Sequence, residues 1–194
     1  MKILKYGYIG EDEAQRIFLR NYLKTYTETV VFEEDTDSKI KATNKTEVDK
    51  LFVEAAIKSL KYAGNDVFFV GRDLDDFQFK AFEDRQNSMR TTLPEQFKNQ
   101  VVIFIPVQCI EHWLWYLKRK ANNPQSTKNE SFELKPRSDA KIAVYGQAKV
   151  PNKISNPIVE QLTTSFDTAW LASRSDSFKW FHNEVVVLVN KNFQ

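Results

Sequence analysis

The sequence VFFVGRDLDDF, from Val67 to Phe77, carries the clearest structural signal of the chain. Its first four residues are apolar and predict a buried strand, which Gly71 and Arg72 end. Three acids then follow within four positions: Asp73, Asp75 and Asp76. In an open α/β sheet, ligands bind at the carboxyl ends of the strands, so this order places acids where chemistry is usual. Taken alone, the stretch is equally compatible with an acidic loop that caps the next helix.

Two further strands have acids just beyond their carboxyl ends. Residues 3–9 predict a first strand, which Gly10 closes before Glu11, Asp12 and Glu13. Residues 101–106 are continuously apolar, as expected of a strand buried on both faces, and Glu111 follows in the next helix. Each glutamate alone is also explained as an ordinary acid in the first turn of a helix.

The remaining pattern predicts helices around this sheet. Residues 29–32 predict a short strand, Thr46–Asp49 resembles a capping box, and Asn156-Pro157 is a typical helix start. Residues 76–90 predict a helix with Phe79 and Phe82 inward, and two more are expected at 108–120 and 139–146. The fold class is therefore α/β, with a Rossmann-like, mostly parallel sheet. Residues 1–120 form this core, and residues 121–194 form a helical extension packed on it.

Composition excludes several classes of site. The 194 residues carry a net charge of only +2, one cysteine, two histidines and five glycines. A disulfide, a multi-cysteine zinc site and a glycine-rich nucleotide loop are therefore poor hypotheses. No apolar run approaches the ~20 residues of a membrane span, and the N-terminus does not resemble a signal peptide. We expect a cytoplasmic protein without membrane contact.

The acids after the three strands are expected to converge on a hard cation. Glu11, Asp73 and Asp75 are the candidate catalytic and metal-binding residues, with Asp76 as a further ligand and Glu111 as a supporting acid. Carboxylate oxygens suit Mg²⁺ or Mn²⁺. A metal held this way stabilises the charge that develops in phosphoryl transfer, and a neighbouring glutamate can act as general base.

Basic residues could contact a phosphate backbone. Lys118, Arg119 and Lys120 form the densest group and are the candidate nucleic-acid contacts. The alternative is a solvated surface of mixed charge.

The same motifs resemble the TOPRIM-like nuclease superfamily, in particular its RloB-like branch. Gly10-Glu11, followed by Phe18-Leu19, is similar to the first motif, and Asp73-Leu74-Asp75 to the DxD motif. Residues 105–114, IPVQCIEHWL, and the late Ser177-Phe178 resemble segments of that branch. The resemblance spans residues 3–181.

This resemblance implies a TOPRIM core that cleaves phosphodiester bonds in DNA or RNA. It makes Glu11 the catalytic acid/base, and Asp73 and Asp75 ligands of Mg²⁺. It also implies an antiphage role beside an ABC/SMC-type ATPase, and a homodimer is possible. In many TOPRIM proteins glycine directly follows the glutamate, whereas Asp12 does so here, so Glu13 is an alternative to Glu11 and Asp76 to one of the DxD acids.

Two other functions remain open from the sequence. One is a catalytically degenerate TOPRIM-fold subunit that docks on an ATPase. The other is a metal-dependent transferase, because a post-strand DxD also binds nucleotide-sugar diphosphates in glycosyltransferases.

Overall fold

The computed structural model describes residues 2–26, 28, 30–37 and 40–191. The strands are β1 (Lys2–Gly10), β2 (Val30–Glu34), β3 (Val67–Gly71) and β4 (Val101–Phe104). The helices are α1 (Glu13–Leu23), α2 (Lys45–Ile57), α3 (Phe79–Thr92), α4 (Ile110–Asn122), α5 (Arg137–Tyr145), α6 (Asn152–Thr163), α7 (Thr168–Ala172) and α8 (Asp176–Lys191). None of the helices in the described residues is both long enough and apolar enough to span a bilayer.

The four strands form one parallel sheet in the order β2-β1-β3-β4. The expected α/β class with a parallel, Rossmann-like sheet is thus confirmed. The chain first moves from β1 outward to β2 and then returns to the other side of β1 at β3. The boundary between β1 and β3 is therefore the topological switch point, where ligands bind in open sheets of this kind.

Helices cover both faces of the sheet and create two apolar cores. On one face α2 and α3 pack on alternate strand residues, among them Ile9, Val70 and Ile103. On the other face α1, α4 and the later helices enclose a larger core that includes Phe104, Trp113 and Phe178. Because both faces are buried, β3 and β4 are apolar at almost every position, as the sequence predicts.

Several local predictions need correction. The cap of α2 is Asn44, not Thr46: its side chain accepts from the Glu47 amide at 3.0 Å, while Glu47 accepts from the Thr43 amide at 2.7 Å. The capping box therefore lies two residues earlier than predicted.

Phe79 is 44% exposed and does not face inward, whereas Phe82 is fully buried as expected. Of the strand predicted at 29–32, Thr29 lies outside the described residues, and β2 continues to Glu34.

Helix α6 begins at Asn152, and Pro157 lies inside it instead of starting it. The helix tolerates the missing N–H of Pro157 because its other face is held by tertiary contacts. Val159 and Thr163 are fully buried there, and Thr163 accepts a hydrogen bond from Asn21 of α1 at 2.9 Å. Packing on α1 therefore overrides the local proline signal.

Candidate functional site

The first acidic motif and the DxD segment meet at the switch point of the sheet. Gly10, the last residue of β1, is paired with Gly71, the last residue of β3. The chain then continues into Glu11 on one side and Asp73 on the other. The Asp73 amide donates to Glu11 Oε1 at 2.7 Å. Parallel register alone thus brings together two acids that lie 62 positions apart in the chain.

Asp73 is the most buried of the candidate acids, with 1% of its surface exposed. Its Oδ1 accepts from Gln15 Nε2 at 2.8 Å and from the Ile110 amide, at the start of α4, at 3.2 Å. Its Oδ2 accepts from Arg137 Nη2 at 3.1 Å. The sheet, α1, α4 and α5 therefore all contribute to the position of this one carboxylate.

Asp75 lies further out, between two cations. Its Oδ2 is 2.5 Å from Lys45 Nζ, and its Oδ1 accepts from Arg137 Nη1. Its backbone is left-handed (φ 58°), as is that of Gln108 (φ 60°) in the loop after β4. The two residues are joined by a hydrogen bond from the Asp75 amide to the Gln108 carbonyl at 3.1 Å. Asp tolerates the left-handed region, but Gln108 is strained there, and strained backbone of this kind is typical of functional sites, where surrounding contacts must hold it.

The remaining candidate acids occupy different environments. Asp76 Oδ1 accepts from the Gln78 amide at 2.8 Å, which is a local turn contact just before α3. Glu13 lies 3.7 Å from Arg16 and has a side chain that is 40% exposed, so Glu11 is the acid that contacts the DxD segment. Glu111 is buried in the first turn of α4, and its Oε1 lies 3.5 Å from Lys141 Nζ.

Burial and neighbouring negative charge raise the pKa of two of the candidate acids, Glu11 and Asp73. Burial raises the pKa of Glu11 to about 7; the hydrogen bond from the Asp73 amide opposes this increase and the charge of Asp75 adds to it. Burial also raises the pKa of Asp73 well above its usual range, and the charge of Glu11 raises it further, whereas Arg137 lowers it. The site therefore favours an added positive charge, which would stabilise both carboxylates.

The donor set suits a hard divalent cation, although the side chains do not form a closed cage. Among the described residues, no group of three or more His, Cys, Asp or Glu side chains is disposed as a metal site. Mg²⁺ commonly binds through only one or two carboxylates, with water and substrate phosphate completing its coordination. Glu11 and Asp73 could hold it in this manner, with Asp75 if Arg137 releases that carboxylate.

The predicted nucleic-acid contacts separate into different roles. Lys118 Nζ donates to the carbonyls of Ala143 and Val144 at 2.8 and 2.9 Å, at the carboxyl end of α5. Lys120 donates to the Pro124 carbonyl and lies over the ring of Trp170. Arg119 is half-buried, and among the described residues its guanidinium forms no hydrogen bond or ion pair. Of the three residues, Arg119 is thus the most available to a phosphate.

Two residues of the site were not predicted from the sequence: Gln15 and Arg137. Gln15 follows the first motif by one helical turn, but a glutamine in a helix carries no chemical signal. Arg137 is one of many basic residues in the sequence, and the helix predicted at residues 139–146 begins at residue 137 instead. Its position at the first residue of α5 directs the guanidinium to Asp73 and Asp75.

Comparison of the chain with protein-family models, with curated proteins and with solved structures found no match in any of the three.

Proposed function

We propose that this protein is a TOPRIM-like nuclease that uses Mg²⁺ or Mn²⁺ to cleave phosphodiester bonds in DNA or RNA. The observation that carries the proposal is the contact of Glu11 with the DxD segment at the switch point of the sheet. The resemblance of the sequence motifs to that superfamily supports the same function.

Each residue has a role that its environment supports. A pKa of about 7 suits Glu11 to acid/base work near neutral pH, because a general base works best when its pKa is close to the ambient pH. Asp73 presents Oδ2 to the site while Oδ1 is held by two N–H donors. When bound, the divalent ion would neutralise these acids and stabilise the charge that develops on the phosphate.

Arg137 is suited to the phosphate itself. Its side chain is 40% exposed, and its guanidinium engages one oxygen of each DxD acid. Arginine binds phosphate with the same two-pronged geometry that it uses for carboxylates. We therefore propose that the Arg137 guanidinium moves from the DxD acids to the scissile phosphate when the cation binds those acids.

The test is cleavage of single-stranded DNA, duplex DNA and RNA with Mg²⁺ or Mn²⁺ by wild type, Glu11→Gln and Asp73→Asn. The matched control is Glu13→Gln, which changes an acid of the same motif that lies beside Arg16. We expect cleavage by wild type and the control, and a loss of at least about 100-fold in the other two variants. Equal cleavage by all four proteins, or none by wild type with either metal, would exclude the proposal.

A second candidate is a non-catalytic subunit in which Arg137 permanently replaces the cation. The ion pairs of Arg137 with both DxD acids favour it. An ABC/SMC-type ATPase would then be the partner that this subunit regulates. Calorimetric titration with Mg²⁺ separates the two functions: binding by wild type supports the nuclease, whereas binding only after Arg137→Gln supports the subunit.

A further inference from the structure

Gln15 occupies a slot between the ends of the two central strands. It lies in the first turn of α1, and none of its surface is exposed. The paired residues Gly10 and Gly71 leave room beside this slot for Gln15 and for two aromatic rings. A Cβ at Gly71 would lie 2.6 Å from the Phe104 ring and 2.8 Å from Gln15 Oε1, and one at Gly10 would clash with the Tyr8 hydroxyl and lie 3.0 Å from Gln15 Oε1. A larger residue at either position would therefore displace an aromatic ring and press against the amide.

The amide joins the two acidic segments through both of its ends. Oε1 accepts from the Glu11 amide at 3.2 Å, and Nε2 donates to Asp73 Oδ1 at 2.8 Å. Since the Ile110 amide also donates to Oδ1, that oxygen is fully engaged. The other oxygen, Oδ2, is left to face Arg137 and the site.

We propose that Gln15 is the positioning residue of this site. It fixes the rotation of the Asp73 carboxylate, so that Oδ2 alone points to the reacting groups, and it keeps the backbone of Glu11 in register with the DxD segment. An amide suits this role because it supplies N–H donors at one end and an acceptor at the other without adding a charge to the crowded acids. The part of the proposal that concerns the cation rests on the proposed nuclease function.

Metal affinity provides the first test. Gln15→Met keeps the volume of the side chain but removes both hydrogen bonds. The matched control is Gln86→Met: Gln86 is also buried, at 3% exposure, and its Nε2 donates to the Ile103 carbonyl at 3.0 Å on the side of the sheet covered by α3. We expect Mg²⁺ affinity, measured by calorimetry, to fall about 10- to 100-fold in Gln15→Met, as it does when groups that orient metal ligands are removed. Affinity within about twofold of wild type in Gln15→Met, or an equal loss in Gln86→Met, would overturn the proposal.

A second measurement does not depend on metal or on cleavage. The side-chain amide protons of Gln15, observed by NMR in the metal-free protein, should shift upfield in Asp73→Ala, because their hydrogen-bond acceptor Oδ1 is lost. Those of Gln86 should not move. Unchanged Gln15 signals would overturn the positioning role even if the protein proves to be a nuclease. A clear shift in a protein that binds no Mg²⁺ would uphold that role and reject the proposed function alone.

Discussion

Asp75 has a left-handed backbone conformation and a carboxylate that contacts two cationic side chains. An L-residue with φ near 58° is strained unless it is Asn or Asp, which tolerate the left-handed region better than other residues. The carboxylate contacts Lys45 and Arg137. Substitutions can therefore test the backbone conformation and the negative charge of Asp75 separately.

Asp75→Asn should abolish metal-dependent cleavage while changing the free energy of unfolding by less than about 0.5 kcal/mol, because Asn keeps the backbone conformation. Asp75→Ala should lose cleavage equally and also about 1 kcal/mol of stability, the cost of placing Ala in the left-handed region. Urea unfolding and a cleavage assay check both. Asp75→Gly, which tolerates this φ, is the control, and a Gly variant less stable than the Ala variant would contradict the strain argument.

Glu11 should make the protein less stable as the pH rises. Its ordinary pKa of 4.5 is raised to about 7 in the folded state. Between these values the folded state binds more protons than the unfolded state, so stability is highest below pH 4.5 and is lost as the pH rises through 7. The carboxylate is partly exposed, and solvent screening reduces the effect to about 1 to 2 kcal/mol.

Glu11→Gln should therefore raise the melting temperature by about 2 to 8 °C at pH 8 and by little near pH 4.5. Differential scanning calorimetry at both pH values measures this difference. Glu13→Gln, on the exposed side of the same motif, should show no such pH-dependent gain. A gain for Glu11→Gln that is equal at both pH values would mean that the raised pKa is not its cause.

At the level of elements, α5 is held in place by a residue predicted to bind nucleic acid. Lys118 donates to the last carbonyls of this helix, where a positive charge also interacts favourably with the helix dipole. The opposite end of α5 begins with Arg137, which contacts the DxD acids. Anchoring the carboxyl end of α5 thus supports the position of the guanidinium at its start.

Lys118→Met should destabilise the protein by about 1 to 2 kcal/mol, because two charge-assisted hydrogen bonds are lost. Arg119→Met should leave stability nearly unchanged, and it should weaken binding to nucleic acid and reduce the salt dependence of that binding. Thermal unfolding and fluorescence anisotropy at several salt concentrations distinguish the two variants. A larger loss of stability in Arg119→Met than in Lys118→Met would contradict these roles.

The sequence predicts those elements whose signal is local or periodic. The apolar runs of β3 and β4, and the acids directly after the strands, follow from pattern and from the geometry of parallel sheets. Arg137 could not be assigned, because its contacts reach residues 62 and 64 positions earlier and depend on where α5 begins. The interior position of Pro157 could not be predicted either, since packing of α6 on α1 outweighs the local preference.

Across the whole molecule, the early and late parts of the chain share one core and one site. Phe178 of α8 is fully buried, with its ring centroid 5.2 Å from that of Trp113 in α4 and 6.0 Å from that of Phe18 in α1. Ser177 accepts from Trp113 Nε1 at 2.8 Å and donates to the buried carboxylate of Glu133. The extension also supplies Arg137 to the acids of the sheet, so the site requires both parts.

Phe178→Ala should therefore loosen the sheet as well as the helical extension. Removing a fully buried phenylalanine costs about 3 to 5 kcal/mol, and the cavity would border α1, α4 and α8. We expect amide hydrogen exchange to accelerate together in β1, β3 and α8, in step with a lower urea midpoint. Phe79→Ala, which truncates a phenylalanine that is 44% exposed, is the control and should cost less than about 1.5 kcal/mol. Faster exchange confined to α8, with β1 and β3 protected as in wild type, would show that the extension unfolds as a separate unit.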